Sequence, residues 1–129
     1  MAKSDHNSLS YCIETAKENA AVLRRDANAA GREYKPVSIM VIGYRWFDRV
    51  NGNTYHSAMV YFDGQAVARA PFQYGYGDQY VSSALEIIRK AGLLDCPEGT
   101  PLWQYCRDNG ITFTYQAHDG LKRDAMRNR

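Results

Sequence analysis

The chain has 129 residues, of which 45% are hydrophobic and 23% charged, with a formal net charge of +2. That length buries a core without staples, that balance excludes a disordered chain, and so small a charge gives no general reason to expect nucleic acid. The longest apolar run, Ile39 to Ile42, is far too short for a bilayer span, and Met1-Ala2-Lys3-Ser4-Asp5-His6 lacks the apolar stretch of a secretory signal, so a cytoplasmic protein without a membrane partner is expected.

Leu9, Cys12, Ile13, Ala16, Ala20, Leu23 and Ala27 recur at helical spacing. They predict an amphipathic helix from about Ser8 to Ala30, stopped by Gly31 and kept from resuming by Pro36. Val37 to Phe47 is β-branched and aromatic and predicts a strand. Alternation places Val37, Ile39, Val41, Gly43 and Arg45 on one face and Ser38, Met40, Ile42, Tyr44 and Trp46 on the other. Both faces are apolar early on, which marks a central strand covered on both sides at that end.

Asp48 to Asn53 contains Asn51-Gly52 and predicts a turn, after which Thr54 to Phe62 returns as a second strand. Asp63-Gly64 makes the next hairpin, and Gln65 to Ala70 is the third strand, ended by Pro71. Gln73 to Tyr80 is a loop rich in glycine and tyrosine. Asp78 is expected to cap the helix after it, whose apolar stripe is Tyr80, Val81, Ala84, Leu85, Ile87, Ile88 and Ala91, with Gly92 at its end. Thr100-Pro101 opens a short helix reaching Gly110, and Ile111 to Tyr115 alternates like an edge strand. Asp119 to Arg129 can add one more helix, with little apolar face. The expectation is one α+β domain over 1–129, a three-stranded antiparallel meander with a fourth edge strand, packed with amphipathic helices. The order is α-β-β-β-α-α-β, and residues 1–7 and 119–129 are expected to fray.

Three cysteines, Cys12, Cys96 and Cys106, include no Cys-x-x-Cys pair and read as reduced, buried thiols. Cys96, Cys106, His118 and Asp119 are too irregularly spaced for a metal site, and no cofactor motif occurs, so neither is expected. The loop from Gln73 to Tyr80 invites comparison with a phosphate cradle. It has no Gly-Lys-Ser/Thr ending, and Asp78 places a negative charge where the anion would sit. His56 titrates near neutrality and is the candidate acid or base, with Asp48 or Asp78 as partners by spatial guess. Tyr44, Trp46, Tyr55 and Tyr61 alternate onto sheet faces, and Tyr74, Tyr76 and Tyr80 follow in the loop. Such rings build a core or a self-association surface, dock a protein, or stack bases beside Arg45 or Arg49.

The order helix, three antiparallel strands, helix over residues 8 to 92 resembles a double-stranded-RNA-binding domain. That family grips phosphate with lysines at the start of its second helix. This chain has Gly77-Asp78-Gln79-Tyr80-Val81-Ser82-Ser83 there, so the topology is similar and the RNA function does not transfer. The segments Asn51-Gly52-Asn53-Thr54-Tyr55-His56-Ser57 and Tyr74-Gly75-Tyr76-Gly77-Asp78-Gln79-Tyr80 resemble small proteins of unassigned function from tailed bacteriophages, over roughly residues 37 to 94. The resemblance implies a small protein made in a bacterial cytoplasm during infection. Such proteins commonly bind a host or phage macromolecule, and some inhibit host defences.

The function expected is therefore binding to a host or phage protein, with inhibition of a host defence as one outcome. Arg45, Trp46, Tyr55, His56, Tyr74 and Tyr76 are the expected contacts, and a homodimer is compatible with them. The alternatives are nucleic-acid binding through helix ends and the basic tail (Lys122, Arg123, Arg127, Arg129), and a small enzyme centred on His56 with Asp78.

Overall fold

The computed structural model describes residues 8–128, and its elements follow the hydrophobic periods of the sequence. They are α1 (Leu9–Ala29), β1 (Ser38–Asp48), β2 (Asn53–Phe62), β3 (Gln65–Tyr74), α2 (Gln79–Lys90), α3 (Leu102–Asp108), β4 (Thr112–Asp119) and α4 (Lys122–Arg127). The fraying expected of residues 1–7, and the expectations for Arg129, lie outside the described residues.

The sheet order is β3-β2-β1-β4, with β1–β2 and β2–β3 antiparallel and β1–β4 parallel. The three-stranded antiparallel meander and the fourth edge strand are as expected, and the parallel β4 makes the sheet as a whole mixed, not purely antiparallel. The hairpins fix the first three strands, but β4 arrives only after α2 and α3 have carried the chain back across the sheet. It then lies on the far side of β1, running in the same direction, as a crossover connection permits and a hairpin does not.

One face of the sheet carries Ile39, Val41, Ala58, Val60, Phe62, Ala68 and Ala70, all buried against α1 and α2. From α1, the buried face is Cys12, Ala16, Ala20 and Ala27. Its small side chains let the helix approach the β3 side closely, where the Asn19 amide donates to the Val67 carbonyl at 2.7 Å. From α2, Tyr80, Ala84, Leu85, Ile87 and Ile88 face inward. The Tyr80 ring crosses β1 at Gly43, where a Cβ would stand 2.4 Å from its Cγ. Only glycine leaves room for that crossing. Burying the larger of these side chains, at about 1.5–3 kcal/mol each for the valines, isoleucines, leucine and phenylalanine, is what holds the helical layer to the sheet.

The second face is crossed by α4. Its Ala125 carbonyl accepts from the Ser57 hydroxyl, Arg69 donates to the Met126 carbonyl at 3.5 Å, and Lys122 lies over Trp46. The Asn128 amide donates to the Ser57 hydroxyl. The few apolar groups of this segment are thus backed by hydrogen bonds to a buried serine, and Ala125 is only 1% exposed. The contacts of α4 lie toward the Tyr44–Trp46 end of β1, and Met40, Ile42, Tyr44 and Trp46 along this face are all half-buried. Coverage on both sides was expected at the opposite end.

Two local expectations also change. Strand β3 continues past Pro71 to Tyr74 because it is an edge strand, and its register slips opposite His56/Ala58, where an extra residue absorbs the proline. Asp78 stands at the start of α2 but makes no side-chain cap hydrogen bond. Gln79 does the local work instead, its Oε1 accepting from the Tyr76 N–H at 2.9 Å.

Candidate functional site

The chemistry-bearing side chains converge at one end of the sheet, where β1 and β4 finish and β2 begins. The turn between β1 and β2 is fixed by Asp48, whose carboxylate accepts from the backbone of Val50 and Asn51 at 3.0 and 3.3 Å and from the Asn51 amide at 2.7 Å. Those donors hold its carboxyl below the usual range, led by the Asn51 side chain. The turn so braced presents Phe47, 54% exposed, and Val50, 92% exposed.

Across the strands runs an aromatic array. Trp46 stacks on Tyr55 at 5.7 Å, Tyr55 stacks on Phe72 at 5.4 Å, and Tyr74 meets Tyr55 edge-on at 5.8 Å. The register creates it: Trp46 pairs with Tyr55, and Tyr55 with Tyr74. Lys122 stands 5.3 Å over the Trp46 ring from the α4 side. Three of these rings are half-buried, and Tyr74 is exposed.

The loop after β3 is pinned at both of its glycines. Gly75 N–H donates to the Thr54 carbonyl at 3.0 Å, and the Gly75 carbonyl accepts from His56 Nδ1 at 2.9 Å. The Gly77 carbonyl accepts from Arg45 at 3.0 Å. Gly75 rests against the His56 ring so closely that a Cβ would stand 2.5 Å from Cε1. With Gly75 turned inward, Tyr74 and Tyr76 on either side face solvent, 59% and 64% exposed.

His56 is the support for this loop. It is 1% exposed, and Nε2 accepts from the Ser83 hydroxyl at 2.8 Å while Nδ1–H donates to Gly75. Burial holds its pKa below the ordinary value, and the bond to Gly75 offsets this in part, so the ring is neutral at pH 7. Both ring nitrogens are engaged, and neither engages Asp48 or Asp78. The expectation that His56 meets a partner directly is corrected: alternation turns it onto the helix-covered face, beneath α2.

Arg45 serves as a clamp. Nε and Nη2 donate to the two Asp119 carboxylate oxygens at 2.5 and 2.9 Å, joining the ends of β1 and β4, while Nη1 holds the tyrosine loop. The pairing raises the Arg45 pKa and lowers that of Asp119, in each case chiefly through the hydrogen bond between them. Beside the clamp opens a cleft of about 950 Å³, lined by Arg45, Trp46, Phe47, Asp48, Arg49, Val50, Thr54, Gly77, Asp119, Gly120 and Leu121.

No protein-family model, curated protein or solved structure matches the chain.

Of the six sequence-predicted contacts, Arg45, Trp46, Tyr55, Tyr74 and Tyr76 surround this end of the sheet, and His56 lies beneath it. Phe47, Phe72, Asp119 and Leu121 belong here as well and were not expected. Phe72 joins the array only if the strand is carried through Pro71, and Asp119 only if β4 pairs with β1. Among the described residues, no group of three or more His, Cys, Asp or Glu side chains is placed to hold a metal ion, and no helix is long and apolar enough to cross a membrane.

Proposed function

We propose that this chain is a binding module that docks a protein partner on the aromatic end of its sheet. The observation that carries the reading is the clustering of exposed large apolar side chains there: Phe47, Val50, Tyr74, Tyr76 and Leu121. An apolar surface held out by a hydrogen-bonded frame is what an interface core requires. Its charges favour protein over nucleic acid. The cleft's own lining balances two arginines, Arg45 and Arg49, against two aspartates, Asp48 and Asp119, and so adds no net positive charge to that of Lys122 beside Trp46. The resemblance to small tailed-phage proteins makes a bacterial host or phage protein the partner to seek, and blockade of a host defence one consequence of its capture.

The test compares wild type with the Tyr74→Ala/Tyr76→Ala double variant as bait in nuclease-treated lysate from phage-infected bacteria. One stoichiometric protein should be retained by wild type and lost by the variant, with melting temperature changed by no more than about 2 °C. Unfolding of the variant would show that the rings are structural. Equal capture by both baits, or nuclease-sensitive capture alone, would refute docking at this end.

A further inference from the structure

The two edges of the sheet differ in kind. At the β3 edge the register slips twice, Pro71 removes a backbone donor from within the strand, and Asn19 of α1 hydrogen-bonds the backbone at Val67. These are devices that stop further strand pairing. The β4 edge has none of them. Thr112–Asp119 is continuous, contains no proline and no lysine, and keeps an unbroken register with β1.

The direction of its free groups follows from two bonds. Thr112 N–H donates to Val37, and Gly120 N–H donates to Arg45. Backbone groups alternate along a strand, so even-numbered residues bond to β1, and the N–H and C=O groups of Phe113, Tyr115, Ala117 and Asp119 point outward. We propose that this edge pairs antiparallel with the same edge of a second copy, joining the two sheets across a two-fold axis at Tyr115.

Three features favour a second copy. At a two-fold axis the residue on the axis meets its own image and its neighbours meet one another's images, so like charges close to the axis would repel. Ile111 to Ala117 is uncharged. With the axis at Tyr115, three of the outward residues find outward partners: Tyr115 faces its copy, and Phe113 and Ala117 face each other's copies, large against small. Each such pair exchanges two N–H···O bonds. Moving the axis to Thr114 would set Phe113 against Tyr115, and moving it to Gln116 would set Phe113 against Asp119. Finally, Tyr115 and Trp103, 51% and 53% exposed, line a groove of about 270 Å³ along this edge, so closing the edge also covers apolar surface.

In this register Thr114 lies opposite Gln116 of the copy, and both side chains are exposed on the face away from α2 and α3. The full chain is tested by sedimentation equilibrium as wild type, as T114K/Q116K, which sets lysine against lysine twice, and as T114K/Q116E, which sets lysine against glutamate twice. Wild type should have twice the 14.6 kDa chain mass. The first variant should dimerise more weakly by roughly fivefold or more, and the second should recover wild-type behaviour. Circular-dichroism melts establish that each variant is folded. Amide exchange at Phe113, Tyr115 and Ala117 should be slow in wild type and fast in T114K/Q116K. Monomeric wild type at about 100 μM, close to the weak end of specific association, would overturn the proposal. So would a dimer indifferent to both variants, which would place the contact elsewhere.

Discussion

Replacing Gly75 by alanine tests the central packing claim about the loop. The added Cβ would stand 2.5 Å from His56 Cε1, 2.9 Å from Nδ1 and 2.8 Å from Gln79 Oε1. Carbon atoms at rest lie about 3.5–4.0 Å apart, so roughly 1 Å must be opened. The Gln79 side chain can move away. His56 cannot, because α2 and Ser83 stand behind it at 2.8 Å. Overpacking of this kind costs about 1–3 kcal/mol. If the ring yields, the 2.9 Å bond to Gly75 breaks and leaves a buried donor unpaired, at about 1–3 kcal/mol more. The sum, about 2–6 kcal/mol, lowers the melting temperature by roughly 6–18 °C for a domain of this size. Thermal and urea melts followed by circular dichroism measure it. In a His56→Ala background the same substitution meets an empty site, so its cost should fall by more than about 0.5 kcal/mol. Because Tyr74 and Tyr76 flank Gly75, partner capture should weaken in Gly75→Ala as well. A Gly75→Ala protein melting within about 2 °C of wild type, or a cost unaffected by His56→Ala, refutes the argument.

The same histidine makes stability depend on pH. Its pKa is lower in the folded protein than the unfolded value of about 6.5, so the unfolded chain binds the proton more tightly. Its contribution is complete above that value and is lost as pH falls through it toward the folded pKa. Urea midpoints taken from about pH 8 to pH 5 should show this loss in wild type and not in His56→Gln, and parallel profiles would contradict it. The thiols should be inert in the native state. Cys12, Cys96 and Cys106 are all buried, and burial, with a smaller contribution from Cys96, pushes the Cys106 thiol up to about 11. Iodoacetamide at pH 8 should label all three only after denaturation, and fast native labelling of Cys106 would contradict its placement.

Periodicity and turn chemistry carried most of the local structure. The stripes of α1 and α2, the Asn51-Gly52 and Asp63-Gly64 hairpins and the α-β-β-β-α-α-β order are statements about neighbours in the chain, and local sterics decide them. The aromatic residues of the site were legible in the same way, since alternation along β1 and β2 places Trp46 and Tyr55. Other features depend on residues far apart in sequence. Whether β4 joins beside β1 or β3, and in which direction, rests on how α2 and α3 span the sheet, and the Arg45–Asp119 clamp forms only once β1 and β4 are parallel neighbours. The role of His56 was decided at this level too. The sequence by itself made it a titratable side chain beside tyrosines, and the packing of α2 made it a buried, neutral support. A histidine's chemistry follows from what desolvates it and what accepts its proton, and here both come from distant parts of the chain: Gly75 and Ser83.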